Sequence, residues 1–289
     1  MKVSGFTIVR NAVKFDYPVV ESIKSILPIV NEYIVAVGKS EDETLKLIQS
    51  IASPKIKLIE TVWDENLRGG GKVLADETNK AFDAVSTDSD WCFYLQGDEV
   101  IHEKDLDAIL HSCEKYKEQN EVEGLLFEYD HFYGSYDFVG DSRTWYHNEV
   151  RVIRNDKSIR SYRDAQGFRK NGKKLKVKNS GGKIYHYGWV KDPRSQQEKQ
   201  KTFHKMWHDD EWMKQNISEA NEFDYSLIDS LKKFEGTHPE VMKNRLTKMN
   251  WAFHYDIRKK KFNLKNWFLY NIEKTFGVRL FEYKNFRMI

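Results

Sequence analysis

Two adjacent carboxylates, Asp98 and Glu99, follow closely on the apolar run Trp91 to Leu95. A carboxylate at the end of a buried strand is costly in free energy unless it is paired, hydrogen-bonded or bound to a metal. Carboxylate oxygens suit Mg²⁺ and Mn²⁺, which commonly keep several waters and bind the phosphates of a substrate. The pair is therefore a candidate site for a divalent cation. The alternative from spacing alone is that the acids cap a helix that begins near Glu103.

A glycine-rich segment, Arg68-Gly69-Gly70-Gly71-Lys72, is a second candidate. Three glycines allow backbone N–H groups to approach an anion closely, and the flanking cations can pair with phosphate. The spacing is not that of a Walker loop. A flexible surface loop is the alternative interpretation of the same residues.

The elements that would position these groups alternate between strand and helix patterns. Strands are predicted over residues 5–9, 33–38, 56–59 and 91–95, and helices over 17–30, 45–51 and 74–85. This alternation is typical of a parallel sheet covered by helices. In such sheets ligands bind at the carboxyl ends of the strands. The strand-end residues here are Arg10, Asn11, Gly38, Glu60, Thr61 and Gln96 to Glu99.

The second half of the chain is less regular. A helix is predicted over 106–119, strands over 123–132, 149–155 and 183–190, and loops over the basic, glycine-containing residues 156–182. From about Arg194 the chain becomes rich in Lys, Glu, Trp and Phe with few β-branched residues, which predicts helices. We therefore expect an α/β domain over 1–190. A helical extension over 191–289 would pack on it or contact an acceptor or a second copy in a homo-oligomer.

Size and composition argue against several classes of protein. The 289 residues are 40% hydrophobic, which allows a sizeable core, and the net charge of +3 is too small to indicate a nucleic-acid-binding protein. The cysteines, Cys92 and Cys113, match neither a disulfide framework nor a zinc site, so we expect a reducing, cytoplasmic setting. The N-terminus lacks the apolar run of a signal peptide, and no stretch approaches the ~18 apolar residues of a membrane span.

The order of four segments carries a resemblance to a known family. FTIVRNA, YIVAVGKSEDETLKLI, LADETNKAF and WCFYLQGDEVI, taken together, resemble family 2 glycosyltransferases with the GT-A fold, a Rossmann-like, mostly parallel sheet flanked by helices. The resemblance covers residues 3–110 well and 120–190 loosely.

Individual positions both match the family and depart from it. The second strand of the family commonly ends Asp-Gly-Ser-x-Asp-x-Thr, and Ser40, Asp42 and Thr44 match this pattern. Gly38 stands where the family often has an aspartate that touches the nucleobase. Gln96 replaces the first acid of the metal motif, so the resemblance implies at most a modest affinity for metal.

The resemblance implies a donor, a cation and the residues that bind them. The donor would be a nucleoside diphosphate sugar, most often a UDP-sugar, and the cation Mn²⁺ or Mg²⁺. Asp98 would hold the cation, with Glu99 as a second ligand or as an orienting group. His186, by itself typical of a hydrogen-bonded core residue, would be a further ligand. The residues implied in donor binding are Arg10, Asn11, Gly38, Lys72, Asn79 and Gln96.

A transfer with inversion also needs a general base that takes the proton of the attacking hydroxyl. Asp141, Glu149 and Asp164 are candidates, and the resemblance favours Asp164 because a base often precedes the late histidine. Its neighbour Arg163 would lower the pKa of Asp164, which suits a surface salt bridge better than a base. The alternating segment Tyr129, Asp130, His131 and Tyr133 is a candidate acceptor pocket.

The sequence thus predicts an inverting, metal-dependent glycosyltransferase acting on a glycan or lipid-linked saccharide. The departures at Gly38 and Gln96 favour an alternative, a non-catalytic glycan-binding protein on a decayed transferase scaffold. A nucleotidyltransferase would need a Gly- and Arg-rich loop after the first strand, which the chain lacks. The basic and aromatic residues from Arg258 onward indicate either a peripheral contact with the cytoplasmic face of a membrane or a solvated charge run.

Overall fold

The computed structural model describes residues 1–64, 66–67, 69–205, 210–216 and 220–289. Within this part of the chain the strands are β1 Val3–Val9, β2 Glu32–Gly38, β3 Ile56–Thr61, β4 Trp91–Tyr94, β5 Glu99–Ile101, β6 Gly124–Tyr133, β7 Phe138–Gly140, β8 Asn148–Arg154, β9 Ile159–Tyr162, β10 Gly167–Lys170, β11 Lys173–Lys174, β12 Lys176–Trp189, β13 Leu231–Lys233 and β14 Arg287–Met288. The α-helices are α1 Val19–Ile26, α2 Thr44–Gln49, α3 Lys72–Asp83, α4 Leu106–Tyr116, α5 Pro193–Lys205, α6 Asp210–Asn216, α7 Lys243–Lys248 and α8 Leu264–Phe276.

One large mixed sheet organises these elements. Strands β3, β2, β1 and β4 lie side by side in that order and run parallel. β8 continues the sheet antiparallel to β4, followed by β6, β7 and β13. β12 runs parallel to β6 and also pairs with β5 and β14. The predicted class, a Rossmann-like, mostly parallel α/β sheet flanked by helices with a helical C-terminal region, is confirmed.

The parallel part of the sheet is buried on both faces, as central parallel strands usually are. Every residue of β2 is buried. Its side chains alternate between two apolar cores: Tyr33 and Val35 lie in the core that contains Ile23 of α1, whereas Ile34 lies in the core that contains Phe82 of α3. Helices on opposite faces therefore hold the strands in register.

The connections leave a crevice between two strand ends. β2 and β3 lie on one side of β1, and β4 lies on the other. The segments after β1 and β4 leave the sheet at this change of direction, which is where α/β sheets commonly bind ligands.

Residues 156–182 are mostly strands joined by short turns, and not the continuous loops that the sequence predicted. β9, β10 and β11 form a separate three-stranded antiparallel sheet, and β12 already begins at Lys176. Lys176 faces solvent while Val177 and Ser180 are buried. The lysines and glycines concealed this alternation, because the buried positions carry few large apolar side chains.

The described residues after 190 form four α-helices and also complete the main sheet. β13 pairs with β7, and β14 pairs with the start of β12, with Val177 opposite Met288. None of the helices in the described part of the chain has the length and apolar content needed to cross a bilayer.

Candidate active site

A cavity of about 710 Å³ opens at the carboxyl ends of β1 and β4. The segments after these strands, the loop between β9 and β10, and helix α5 contribute to its walls. Lining side chains include Arg10, Asn11, Trp63, Gln96, Asp98, Tyr146, Asp164, His186 and Lys199. Polar residues that are far apart in the sequence thus meet in one cavity.

Asp98 lies in the turn between β4 and β5, with 13% of its side chain exposed. Its Oδ1 is 3.7 Å from Nε2 of His186, and its Oδ2 is 3.4 Å from Nζ of Lys199. Burial alone would raise the pKa of Asp98. The charge of Lys199, together with the charge and hydrogen bond that a protonated His186 ring supplies, outweighs burial and holds that pKa well below its usual range. Asp98 is therefore an anion at neutral pH.

A chain of hydrogen bonds sets which nitrogen of His186 faces Asp98. Nε2 of His131 lies 2.8 Å from the carbonyl oxygen of Tyr146 and must donate to it. Burial holds the pKa of His131 well below its usual range, so its ring is neutral and its Nδ1 accepts. Nδ1 of His186, 3.0 Å away, is then the donor. Whenever the His186 ring is neutral, its lone pair is therefore on Nε2 and faces Asp98, as metal coordination requires.

Gly188 keeps the space between these two donor atoms open. A Cβ atom added at Gly188 would lie 2.7 Å from Oδ2 of Asp98 and 2.7 Å from Nε2 of His186. Any side chain at this position would fill the cradle that Asp98 and His186 form. The sequence contained no signal for this role, because it depends on how β12 passes the β4–β5 turn.

No pattern in the sequence marks Lys199 of α5 as a site residue. Its Nζ donates to the carbonyl oxygen of Gly188 at 3.0 Å as well as lying against Asp98. Lys191, just before α5, is fully buried, and its Nζ donates to the carbonyl oxygen of Asp16 at 3.0 Å. Burial holds the pKa of Lys191 well below its usual range, with the charge of Lys199 acting in the same direction. On α5 it is therefore Lys199 that reaches the predicted metal position, whereas the buried Lys191 is shifted toward its neutral form.

Glu99 lies away from the cavity and has another partner. Its carboxylate accepts from Nε and Nη2 of Arg151, each at 2.8 Å, and from the hydroxyl of Tyr129 at 2.8 Å. Glu99 and Arg151 are both fully buried. With both oxygens engaged, Glu99 is not placed to coordinate a cation beside Asp98. The pair instead fixes the start of β5, and the backbone N–H of Gln96 also donates to Glu99 at 3.1 Å.

Gln96 and Asp164 also line the cavity. The Nε2 of Gln96 donates to the carbonyl oxygen of Ala165 at 3.3 Å, which ties the β4–β5 turn to the loop that carries Asp164. Arg163 and Ala165 both have positive φ angles, 55° and 60°. Non-glycine residues with such angles are uncommon, and they often occur at functional sites.

The environment of Asp164 suits a general base, although the sequence predicted that Arg163 would lower its pKa. Burial raises the pKa of Asp164, and the nearby Arg151 and Arg163 only partly oppose this rise. Asp164 makes no ion pair with any residue that the structure describes, so the salt-bridge interpretation is wrong. Asp164 lines the cavity and is half-buried.

Two predicted donor contacts, Arg10 and Asn11, line the cavity near the end of β1, and a third, Gly38, lies against Trp63 outside the lining. Asn11, with a positive φ of 54°, accepts from the backbone N–H of Glu41 at 2.8 Å and so joins the loops after β1 and β2. The guanidinium of Arg10 stacks over the ring of Trp63 at 5.5 Å. A Cβ atom at Gly38 would lie 2.3 Å from Nε1 of Trp63. Gly38 therefore makes room for Trp63 and has no side chain to reach a ligand.

The glycine-rich segment and α3 contribute less than predicted. Arg68 lies outside the described residues, and Lys72 is exposed at the first turn of α3, away from the cavity lining. The Oδ1 of Asn79 accepts from the backbone N–H of Ser161 at 2.8 Å, so Asn79 anchors β9. Neither Lys72 nor Asn79 lines the cavity that contains the other candidate residues.

The remaining base candidates differ sharply from Asp164. Asp141 is paired with Lys260 at 3.0 Å and Lys274 at 2.7 Å, and although burial opposes it, these bonds hold the pKa of Asp141 below its usual range. Glu149 is buried in a neighbouring cavity, and burial raises its pKa to about 7. Asp141 is a structural anchor, whereas Glu149 retains an unusual protonation equilibrium.

The segment predicted as an acceptor pocket is largely buried in the sheet. Tyr129, His131 and Tyr133 are 6%, 3% and 4% exposed, and Asp130 pairs with Lys183 at 3.2 Å. None of the four lines either cavity. The alternation reflects the two buried faces of β6 and not a binding surface.

The basic residues near the C-terminus are mostly engaged within the chain. Lys260 donates to Ser230 and Asp141, Lys261 donates to the carbonyl oxygen of Ser226 at 2.7 Å, and Arg258 pairs with Asp256. These contacts favour the interpretation of a charge run packed on the domain.

The side chains at the predicted metal position fit a divalent cation as a two-residue set. Asp98 supplies an anionic oxygen, His186 a nitrogen lone pair, and Gly188 the open cradle between them. Among the described residues no group of three His, Cys, Asp or Glu side chains is arranged around one point. Water and substrate oxygens would complete the coordination, as is common for Mg²⁺.

Comparisons with known proteins give distant structural similarities. No family model and no curated protein matches the chain. The chain is similar to Staphylococcus aureus TarS 1–349 in complex with UDP, with 13% identity over 70% of this chain and 64% of that one and a TM-score of 0.41. The complex of TarS 1–349 with UDP-GlcNAc matches with 16% identity over 46% of this chain and 35% of that one, with a TM-score of 0.33. Glucosyl-3-phosphoglycerate synthase from Mycobacterium tuberculosis, in complex with Mn²⁺, UDP and phosphoglyceric acid, matches with 19% identity over 46% of this chain and 43% of that one, with a TM-score of 0.30.

Proposed function

We propose that this chain is an inverting, metal-dependent glycosyltransferase of the GT-A class, similar to family 2. It would transfer a sugar from a nucleoside diphosphate sugar, most simply a UDP-sugar, to a hydroxyl of a glycan or lipid-linked saccharide. One observation carries the proposal: Oδ1 of Asp98 and Nε2 of His186 face each other at 3.7 Å in a cavity at the strand ends. A cradle of this kind, open to a large cavity, suits a cation and the diphosphate that it binds.

Asp98 and His186 would hold Mn²⁺ or Mg²⁺. When bound, the cation supplies Lewis-acid neutralisation of the charge that develops on the departing nucleoside diphosphate. Lys199 would reinforce this neutralisation, because its ammonium group already lies at the same wall of the cavity. Fixed positive charge in a site shielded from water is worth more than the same charge in bulk solvent.

The nucleoside would lie at the other end of the cavity. Arg10 and the ring of Trp63 form a stacked surface there, and Asn11 fixes the adjoining loops. Trp63 occupies the space that an aspartate side chain at position 38 would need. Recognition of the base would therefore depend on stacking and on Arg10 in place of a carboxylate.

Asp164 would act as the general base. It lines the same cavity as Asp98, and burial raises its pKa toward the range where a base works near neutral pH. As the acceptor oxygen forms its bond to the anomeric carbon, the hydroxyl proton would pass to Asp164 and the bond to the diphosphate oxygen would break. This is a single displacement, which inverts the anomeric centre.

The proposal is tested by measuring binding and turnover of a panel of sugar nucleotides. We expect calorimetry to detect binding of at least one of them that requires Mn²⁺. Asp98→Asn should abolish both Mn²⁺-dependent binding and turnover. Asp107→Asn, an exposed position on α4, is the matched control and should behave like the wild type. Absence of any metal-dependent binding in the wild type would refute the proposal.

A non-catalytic glycan-binding protein is the second candidate, and the contact between Lys199 and Asp98 favours it. An ion pair at the predicted metal position can satisfy Asp98 without any cation. Glycan binding that survives chelation, without hydrolysis or transfer from any donor, would support this candidate.

A further inference from the structure

A second cavity, of about 510 Å³, adjoins the first. The two cavities share three lining residues, Tyr146, Asp164 and Gln166. Asp164 therefore faces both spaces. A group bound in the second cavity can reach the carboxylate that the proposed transfer uses as its base.

The C-terminal segment builds one wall of this second cavity and is fixed in place. Arg143 pairs with Glu273 of α8 at 2.9 Å, and Nη2 of Arg279 donates to the carbonyl oxygen of Trp145 at 2.7 Å. Nη1 of Arg169 on β10 donates to the carbonyl oxygen of Asn285 at 3.1 Å. Because these contacts tie the C-terminal segment both to the β7–β8 connection and to β10, the cavity is formed before any ligand binds.

The lining combines exposed aromatic rings with buried polar groups. Tyr162, Phe281 and Tyr283 are 38%, 89% and 72% exposed around the cavity. Inside it, Glu149 is 2% exposed and accepts from Nε2 of Gln166 at 2.8 Å and Nδ2 of Asn285 at 3.3 Å. A few placed polar groups among apolar and aromatic walls are typical of a small-molecule site.

Saccharides match this combination of surfaces. A sugar ring has apolar C–H faces that can lie against aromatic rings, and hydroxyls that need donors and acceptors inside the site. Glu149, Gln166 and Asn285 supply both kinds of group.

We propose that the second cavity is the acceptor site and that it binds a saccharide whose hydroxyl is directed at Asp164. This inference rests on the proposed transferase function and adds to it the position of the acceptor. It also gives the C-terminal segment a role, since side chains of this segment, among them Leu269, Phe281 and Tyr283, form the wall against which the acceptor would lie.

A single new cysteine can test the acceptor site without touching the catalytic groups. The two natural cysteines, Cys92 and Cys113, are both buried, so a surface cysteine can be alkylated selectively. Phe281→Cys places the thiol at the cavity. Phe268→Cys is the matched control, because Phe268 is 60% exposed on α8 but outside the cavity lining.

Each protein is alkylated with a bulky maleimide and measured twice, in the presence of Mn²⁺. UDP binding by calorimetry reports on the donor cavity, and retention on an array of immobilised oligosaccharides, with UDP present, reports on the acceptor cavity. We expect alkylated Phe281→Cys to lose at least tenfold in oligosaccharide binding while UDP binding stays unchanged, and alkylated Phe268→Cys to match the wild type in both.

Two results would overturn the inference. One is oligosaccharide binding by alkylated Phe281→Cys equal to that of the alkylated control. The other is a wild-type protein that binds UDP with Mn²⁺ but no oligosaccharide on the array. Failure of the wild type to bind UDP at all would instead refute the transferase proposal, so the two failures can be distinguished.

Discussion

The ammonium group of Lys199 lies 3.4 Å from the Oδ2 oxygen of Asp98, at the position where the sequence predicts a divalent cation. Lys199 belongs to α5, far along the chain from the β4–β5 turn that carries Asp98. A lysine and a metal ion would compete for the same carboxylate oxygen. The affinity of the site for metal therefore depends on Lys199 of α5 as well as on the residues that bind the metal.

Removing the competing lysine should tighten metal binding. In Lys199→Gln the carboxylate of Asp98 has lost its ammonium partner, so we expect the Mn²⁺ dissociation constant of the protein without nucleotide to fall by up to about tenfold, about 1.4 kcal/mol. Mn²⁺ titration followed by electron paramagnetic resonance measures it. Lys201→Gln, on the same helix, is the control. An unchanged or weaker affinity in Lys199→Gln would show that Lys199 does not compete with the cation.

Filling the cradle should remove the metal site while the fold persists. In Gly188→Ala the new methyl group would lie 2.7 Å from both Asp98 and His186, so the two donors must move apart. We expect Mn²⁺ binding to weaken beyond detection in the same titration. Circular dichroism and the melting temperature check the fold. Wild-type Mn²⁺ affinity in this variant would place the cation elsewhere.

The hydrogen bond from His186 to His131 should contribute measurably to Mn²⁺ affinity. His131→Phe keeps a ring of similar size but removes the acceptor for Nδ1 of His186. Loss of a group that orients a ligand typically costs roughly 10- to 100-fold in metal affinity, and we expect a loss at the lower end of that range. Calorimetry with Mn²⁺ provides the value. If affinity is unchanged and the protein remains folded, His186 does not need His131 to orient it.

Asp164 should control the rate but not donor binding. Asp164→Asn should lower kcat by roughly 10²- to 10⁴-fold, the usual contribution of a general base, with the UDP dissociation constant unchanged. Because the base must be deprotonated, activity should fall as the pH decreases through the pKa of Asp164. Burial raises that pKa, so this acid limb should lie above the ~3.9 of an exposed aspartate. A rate that is insensitive to Asp164→Asn would exclude the role.

The pair of Glu99 and Arg151 should behave as a structural unit. Arg151→Met leaves a buried carboxylate unpaired, and breaking a buried pair typically costs about 3–5 kcal/mol of unfolding free energy. Urea denaturation measures this cost, and the double variant Glu99→Leu with Arg151→Met should recover much of it. If Glu99 were a metal ligand, Glu99→Gln would instead weaken Mn²⁺ binding with little loss of stability.

The local pattern of the sequence determined the first half of the molecule. Strand and helix patterns over residues 1–95 predicted β1 to β4 and α1 to α3, because buried parallel strands are nearly continuous apolar runs. The rule that ligands bind at strand ends then led to Arg10, Asn11 and Asp98, which all line the main cavity. These predictions depend only on patterns among residues that are close together along the chain.

The tertiary structure decided which of the candidate side chains can do chemistry. Asp98 and Glu99 are neighbours in sequence, yet Asp98 lies in the turn before β5 and lines the cavity, whereas Glu99 is the first residue of β5 and is buried against Arg151. Lys199, Gly188 and His131 act through distances to residues far away along the chain, and no local pattern encodes such distances. The second cavity likewise exists only because the C-terminal segment folds back against β8 and the β9–β10 loop.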